Sequence, residues 1–176
     1  AGIGDRPFKT FASGGAFSKF SHEFQTVCAA GEDTIYLDRQ QKIAVNHEVY
    51  TADVLSDLGL QKDKLEEVRA VEVGNIFKLG TRFSEALGLN YTTADGRQLP
   101  VVMGSYGLGP ARVMAAAVEC LADEAGMIWP AAIAPFDLHL IELDGHKDKA
   151  VRTAANTFCN AVHAAGRTLL HDERDI

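Results

Sequence analysis

Cysteine is scarce in this chain, and so is any long apolar run. Cys28, Cys120 and Cys159 are odd in number and far apart, which fits reduced thiols better than a disulfide framework or a zinc site. The longest apolar stretch, residues 113–118, stops at Glu119, well short of the ~20 residues a membrane span needs. Positive charge is in deficit. Seventeen Lys and Arg against 24 Asp and Glu leave a formal net charge of −7, which disfavours a general nucleic-acid coat protein but leaves room for a local basic patch. The N-terminal stretch carries Asp5, Arg6, Lys9 and Lys19 without an apolar core, so no secretory signal is visible. These absences are those of a cytoplasmic chain.

What is present is ordinary for a folded domain. The 176 residues are 47% hydrophobic and 23% charged, which excludes disorder and collagen-like repeats. A chain of this size buries roughly 70% of its unfolded surface, enough for a core without staples. Short β-like runs at 8–11, 23–27 and 34–37 alternate with turn residues at Ser13-Gly14-Gly15 and Gly31-Glu32-Asp33. Residues 51–67 are polar, acidic and weakly helical, with Gly59 in the middle, and predict a surface connector. Sheet character returns at 68–77, with Glu72 and Gly74 on one strand face; a short helix follows at 81–87, then strands at 90–93 and 98–103 around Asp95-Gly96. The strongest helix signal covers 110–125: Pro110 suits a first position and Gly126 a stop, and Val113, Met114, Ala117, Val118 and Leu121 mark one face. A strand at 137–143, an amphipathic helix at 147–164 stopped by Gly166, and a strand at 167–171 suggest a boundary near residue 135 and the opening of a small α/β unit.

Three segments could carry chemistry. In Met103-Gly104-Ser105-Tyr106-Gly107-Leu108-Gly109-Pro110-Ala111-Arg112 a strand runs into a helix. Its glycines admit close approach of a ligand to the backbone, and a helix N-terminus suits an anion. Arg112 stands in the first turn, where a cation is disfavoured by about 0.3–1 kcal/mol; an adverse local charge is expected where function overrides stability. It would clamp a phosphate or stack on a purine. The bland alternative is a glycine-rich bend with an exposed arginine. A dinucleotide-binding turn fits worse, because Arg112 occupies the place of the third glycine and the upstream strands read as an antiparallel hairpin. In the second segment, Val71-Glu72-Val73-Gly74-Asn75, a carboxylate on a sheet face could hold Mg2+ or a ribose, or simply be solvated. In the third, Gly14-Gly15 precedes Ser21-His22-Glu23-Phe24, and His22 and Glu23 could line a small pocket or belong to a half-buried strand. The remaining histidines, His47, His139, His146, His163 and His171, lack metal-ligand spacing, so no metal site is assigned.

The strand-to-helix turn ending in Arg112 resembles motif 3 of the class II aminoacyl-tRNA synthetases. The ordered set is narrower: Gly14-Gly15, Ser21-His22-Glu23-Phe24-Gln25, Gly31-Glu32-Asp33, residues 71–77 with 79–84, residues 103–109, Ile128-Trp129-Pro130 and Ile133-Ala134-Pro135-Phe136. In order and spacing it resembles bacterial prolyl-tRNA synthetase over essentially the whole chain except 51–67. The resemblance implies an α+β fold: an antiparallel β-sheet with flanking helices, the C-terminal part of the catalytic domain, over 1–135, then a truncated α/β anticodon-binding domain over 136–176.

It also implies roles. Arg112 would pack on adenine and reach the γ-phosphate of ATP. Glu72 would hold ATP phosphate or its Mg2+, and Asn75 lies where relatives often have His. Gly104, Gly107 and Gly109 would floor the adenosine and prolyl sites. Ser105, often Cys in relatives, and His22 would border the proline pocket, with Phe77 near the substrates. The implied reaction joins proline and ATP into prolyl-adenylate and pyrophosphate, then loads tRNA(Pro), by positioning and charge neutralisation rather than a protein nucleophile. The short connector predicts no editing in cis. Motifs 1 and 2 are missing ahead of Ala1, and the last unit stops near Arg174. The chain therefore reads as an internal fragment, inactive alone, of an enzyme that would be a homodimer at full length. A weak basic patch of Lys147, Lys149 and Arg152, beside Asp144 and Asp148, could touch tRNA. The alternative is a non-catalytic synthetase-like paralogue that binds nucleotide or tRNA.

Overall fold

A computed structural model describes residues 2–143 and 147–174; Ala1, Asp144, His146 and Asp175-Ile176, used in the sequence reading, lie outside them. Two compact units divide the chain between Ile128 and Trp129. The first holds β1 (Pro7–Ser13), β2 (Phe20–Val27), β3 (Asp33–Asp38), β4 (Ile43–Asn46), α1 (Ala52–Leu58), β5 (Glu66–Gly80), α2 (Arg82–Leu87), β6 (Asn90–Thr92), β7 (Gln98–Pro100), β8 (Met103–Leu108) and α3 (Pro110–Leu121).

The main sheet runs β2-β1-β4-β3-β5-β8, and β2 also pairs with β5, so the pairings return on themselves. All are antiparallel except β1 with β4. Inside this circuit Ile35, Leu37, Ala44 and Ala70 are fully buried, joined by Phe8, Val27 and Val68. On the other face of β5, Val73 and Val71 pack against Ile3 and the α3 residues Ala116, Ala117, Val113, Cys120 and Leu121. Each large aliphatic side chain buried this way contributes about 1.5–3 kcal/mol. β8 runs antiparallel to β5 directly into α3; no βαβ crossover precedes the glycines, which removes the dinucleotide reading.

Several elements differ from expectation. Residues 51–65 are not a mere surface connector: Thr51 caps α1 by accepting from Val54 N, Gly59 ends it at φ 66°, and Leu55 and Leu60 are buried against Val45. Glu66 and Glu67 already belong to β5. The run 98–103 splits, because Pro100 cannot donate to a ladder and Val101 N turns to Leu89 O. α3 stops at Leu121 rather than 125, since the Asp123 carboxylate accepts from Ala125 N and Gly126 N, a local turn that outcompetes the helix. Met114, expected on the buried face, is exposed. β4 had no distinct signal of its own.

The second unit is a β-α-β arrangement: β9 (Leu138–Ile141), α4 (Lys149–Ala164) and β10 (Leu169–Asp172), with β9 and β10 parallel. Asp148 caps α4 by accepting from Ala150 N at 2.7 Å, and Gly166 turns the chain at φ 69°. Arg152, one of the residues of the expected basic patch, is held by the buried Glu142 and by Glu173. Among the described residues no helix is long and apolar enough to cross a membrane.

Candidate functional site

The site forms where β5 and β8 meet the start of α3. Glycine makes the approach possible. A Cβ on Gly74 would stand 2.9 Å from Gly107 O, and one on Gly107 would stand 3.3 Å from Asn75 Oδ1. Gly109 donates to Val73 O at 3.0 Å and then accepts from Val113 N, opening α3 without a side-chain cap. Between these backbones lies a cleft of about 330 Å³, floored by Gly74, Gly107 and Gly109 and walled by Glu72, Asn75 and Arg112.

An irregularity in β5 sets the polar wall. Phe24 pairs with Gly74 but Gln25 pairs with Glu72, so Val73 is an extra residue. Such a bulge re-aims the side chains on either side of it. Glu72 and Asn75, three apart and on opposite faces by strict alternation, come together instead: Asn75 Nδ2 donates to Glu72 Oε1 at 2.8 Å. Arg112 Nη1 donates to the Glu72 carbonyl at 3.3 Å and lies 3.9 Å from Glu72 Oε2 and 3.1 Å from Glu32 Oε1. These partners offset the adverse helix-dipole position of Arg112. The guanidinium is half exposed and Glu32 more so, so the pairs contribute only about 0–1 kcal/mol and are readily exchanged for an incoming anion.

Glu32 entered the sequence reading only as a turn residue. Its signal lay in Gly31, where a Cβ would meet the Ala70 backbone at 2.4 Å; only glycine lets this loop press on β5 and deliver Glu32 to Arg112. Behind the cleft, Gln25 is fully buried and donates to Glu23 Oε2 at 2.9 Å and Asp33 Oδ2 at 2.6 Å. Burial pushes the Glu23 carboxyl above its ordinary range; the bond from Gln25 opposes this and the nearby Glu72 adds to it.

Residues opposite one another in an antiparallel pair share a face, and successive residues alternate. Asn75 stands opposite Glu23 and Gly107, and Phe77 opposite Ser105, so these five share one face. Gly104 pairs with Lys78 beside them. His22 pairs with Ile76, one step out of register, and therefore faces the other way. It packs on Phe11 at 4.9 Å between ring centroids. Its pKa is lowered first by burial, then by Lys78 and Lys9. The structure thus brings Arg112, Glu72, Asn75, Gly107 and Gly109 together, with Phe77 and Ser105 farther along the same face, and separates His22 from them. Among the described residues no group of three or more His, Cys, Asp or Glu could hold a metal ion.

The edge strand β8 feeds a helix that opens with Arg112 over the cleft, and solved structures of aminoacyl-tRNA synthetases match this fold. Prolyl-tRNA synthetase from Cryptosporidium parvum, complexed with L-proline and AMP, superposes with a TM-score of 0.58 at 16% identity, covering 96% of this chain and 28% of that one. The Giardia lamblia enzyme in complex with prolyl-adenylate gives 0.60 at 15%, covering 97% and 29%. Sequence narrows the class to a family. The chain is 48% identical over 115 residues to the proline–tRNA ligase of Persephonella marina, covering 65% of this chain and 20% of the relative. It is 34% identical over 180 residues to that of Methylobacterium sp. strain 4-46, covering 88% and 40%. No family model matches. The chain is a homologue of part of the prolyl-tRNA synthetases, and it spans between a fifth and two fifths of the length of these curated relatives.

Proposed function

We propose that this chain carries the nucleotide and amino-acid subsites of a proline–tRNA ligase that activates proline with ATP and transfers it to tRNA(Pro). The observation that carries the reading is Arg112 over a glycine-floored cleft, beside the paired Glu72 and Asn75. In this reading the Arg112 guanidinium stacks on the purine and meets phosphate, exchanging its wet contacts with Glu32 and Glu72 for a charge-assisted pair. Glu72 is partly exposed at the cleft and fits a single carboxylate ligand for Mg2+, an ion usually held by one or two carboxylates together with substrate phosphates. When bound, the ion supplies neutralisation of phosphate charge. Gly107 and Gly109 let the nucleotide lie against backbone. Phe77 and Ser105 frame the amino acid farther along the strand pair, with only the backbone of Gly104 beside them, and His22, on the reverse face, supports the sheet instead.

Residues 1–135 would then be the C-terminal part of the catalytic domain and 136–176 the opening of an anticodon-binding domain. The longer cytoplasmic enzyme would pair as a homodimer. Among the described residues no Ser, Thr, Cys or Lys lines the cleft, so catalysis would be by alignment of the proline carboxylate with the α-phosphate.

Calorimetric titration with Mg-ATP and with a non-hydrolysable prolyl-adenylate analogue tests the reading. Saturable binding of both is expected, and Arg112→Ala weakens ATP by at least about tenfold, the equivalent of one charged hydrogen bond. Unchanged affinity in that variant would sink the proposal. Proline-dependent pyrophosphate exchange is expected of the longer enzyme and not of these 176 residues alone. A full-length protein that binds nucleotide without exchange would instead be a non-catalytic paralogue.

A further inference from the structure

The loop between β1 and β2 is tightly built. A Cβ at Gly14 would stand 2.0 Å from Ser18 O, and Gly15 sits at φ 55°, so both positions favour glycine. Phe17 N donates to Gly14 O at 3.1 Å, Gly15 N to Ser13 Oγ at 3.1 Å, and Ser18 Oγ to Phe20 O at 2.7 Å. This fold sets Phe17 edge-on to Phe77, with ring centroids 6.3 Å apart, and 5.8 Å from Phe83 of α2.

Arg82, the first residue of α2, closes the arrangement. Its Nη1 donates to Ala16 O at 2.5 Å, and its guanidinium stands 5.7 Å from the Phe17 centroid and 5.9 Å from that of Phe83. A flat cation can satisfy a carbonyl and two ring faces together, which an ammonium cannot. Phe17 nevertheless stays 46% exposed. The ring is held at the surface by a cation rather than drawn into a core. Since Phe77 shares its sheet face with Ser105 and Asn75, the held ring stands beyond the nucleotide cleft on the same platform.

We propose that Arg82 is a positioning residue: it fastens the glycine loop so that Phe17 and Phe77 form the apolar wall of the amino-acid subsite. The inference rests on the function proposed above. Two aromatic rings suit a compact, apolar side chain. Arg82, already engaged with Ala16 and two rings, acts through the loop rather than on the ligand.

The test compares Arg82→Ala, Arg82→Lys and Phe17→Ala by three readouts: hydrogen-exchange protection of the Phe17 amide, affinity for the prolyl-adenylate analogue, and affinity for Mg-ATP. Arg82→Ala is expected to lose the Phe17 protection and weaken the analogue at least fivefold, while ATP affinity stays within twofold. Phe17→Ala should reproduce the loss on the analogue, and Arg82→Lys should recover only part of it. A freed loop with wild-type affinity for the analogue overturns the proposal. So does an equal loss for ATP and analogue, which marks general damage. If the wild-type chain shows a protected Phe17 amide and binds ATP but not the analogue, the amino-acid subsite itself is misassigned, and the clamp's role falls with it.

Discussion

Arg112 in α3 and Arg152 in α4 occupy the same kind of position, the first turn of a helix, where the backbone dipole opposes a cation. Their surroundings differ. Arg152 Nε meets Glu142, whose side chain is 1% exposed and whose second carboxylate oxygen lies 2.9 Å from His171 Nε2. Arg112 meets Glu32, 65% exposed, and Glu72, 27% exposed. A carboxylate taken out of water must be paired, so Arg152 is explained by the stability of the β9-α4-β10 unit. A wet pair contributes almost nothing to folding, so stability does not explain Arg112. An adverse charge with weak partners above a cleft is what the anion-binding role proposed for Arg112 would predict.

The largest effect should come from breaking the buried arrangement. Among the described residues, Arg152→Ala leaves Glu142 the contact with His171, and the lost pairing should cost about 2–4 kcal/mol, reduced from the fully buried range because Arg152 is itself partly exposed. Arg112→Ala should cost under about 1 kcal/mol. Urea unfolding followed by helical circular dichroism measures both, and equal losses would erase the distinction between the two arginines.

The same contrast explains what the sequence could disclose. The helix start at Pro110, the glycines before it and the odd charge at Arg112 are local signals, and the structure places them together at one cleft. The β-α-β order of the last unit was likewise legible from periodicity. Three features needed the third dimension. The Val73 bulge makes Glu72 and Asn75 neighbours against strict alternation. Glu32 reaches Arg112 from eighty residues away in sequence through a loop that only Gly31 permits. Leu55 and Leu60 are buried although their segment is polar, because two well-placed leucines suffice for one helical turn to dock. Burial of this kind depends on the partner, which a single segment does not reveal.

A smaller effect should follow from Glu32→Gln. If Glu32 only occupies Arg112 until an anion arrives, removing its charge should tighten Mg-ATP by about 1.5- to 5-fold, the equivalent of a solvent-exposed pair of about 0.2–1 kcal/mol. A weaker ATP complex in this variant would mean instead that Glu32 serves the bound ligand, and the view of Arg112 as a residue held in reserve would need revision.

The smallest effect concerns His22, a residue the motif resemblance assigns to the pocket and the strand register assigns to the opposite face. Its folded pKa lies below the ordinary histidine value of 6.5, chiefly through burial and then through Lys78 and Lys9. As pH falls through that value the unfolded chain takes up a proton before the folded one does, so stability is present above it and is lost towards the lower folded pKa. His22→Phe keeps a ring against Phe11 and removes the proton. The variant should lose less stability than wild type between pH 7.5 and 5.5, as read from urea midpoints, while its affinity for the prolyl-adenylate analogue stays unchanged. An analogue affinity that drops with His22→Phe would return His22 to the pocket and show that the two faces of the β2–β5–β8 platform are not as independent as their register implies.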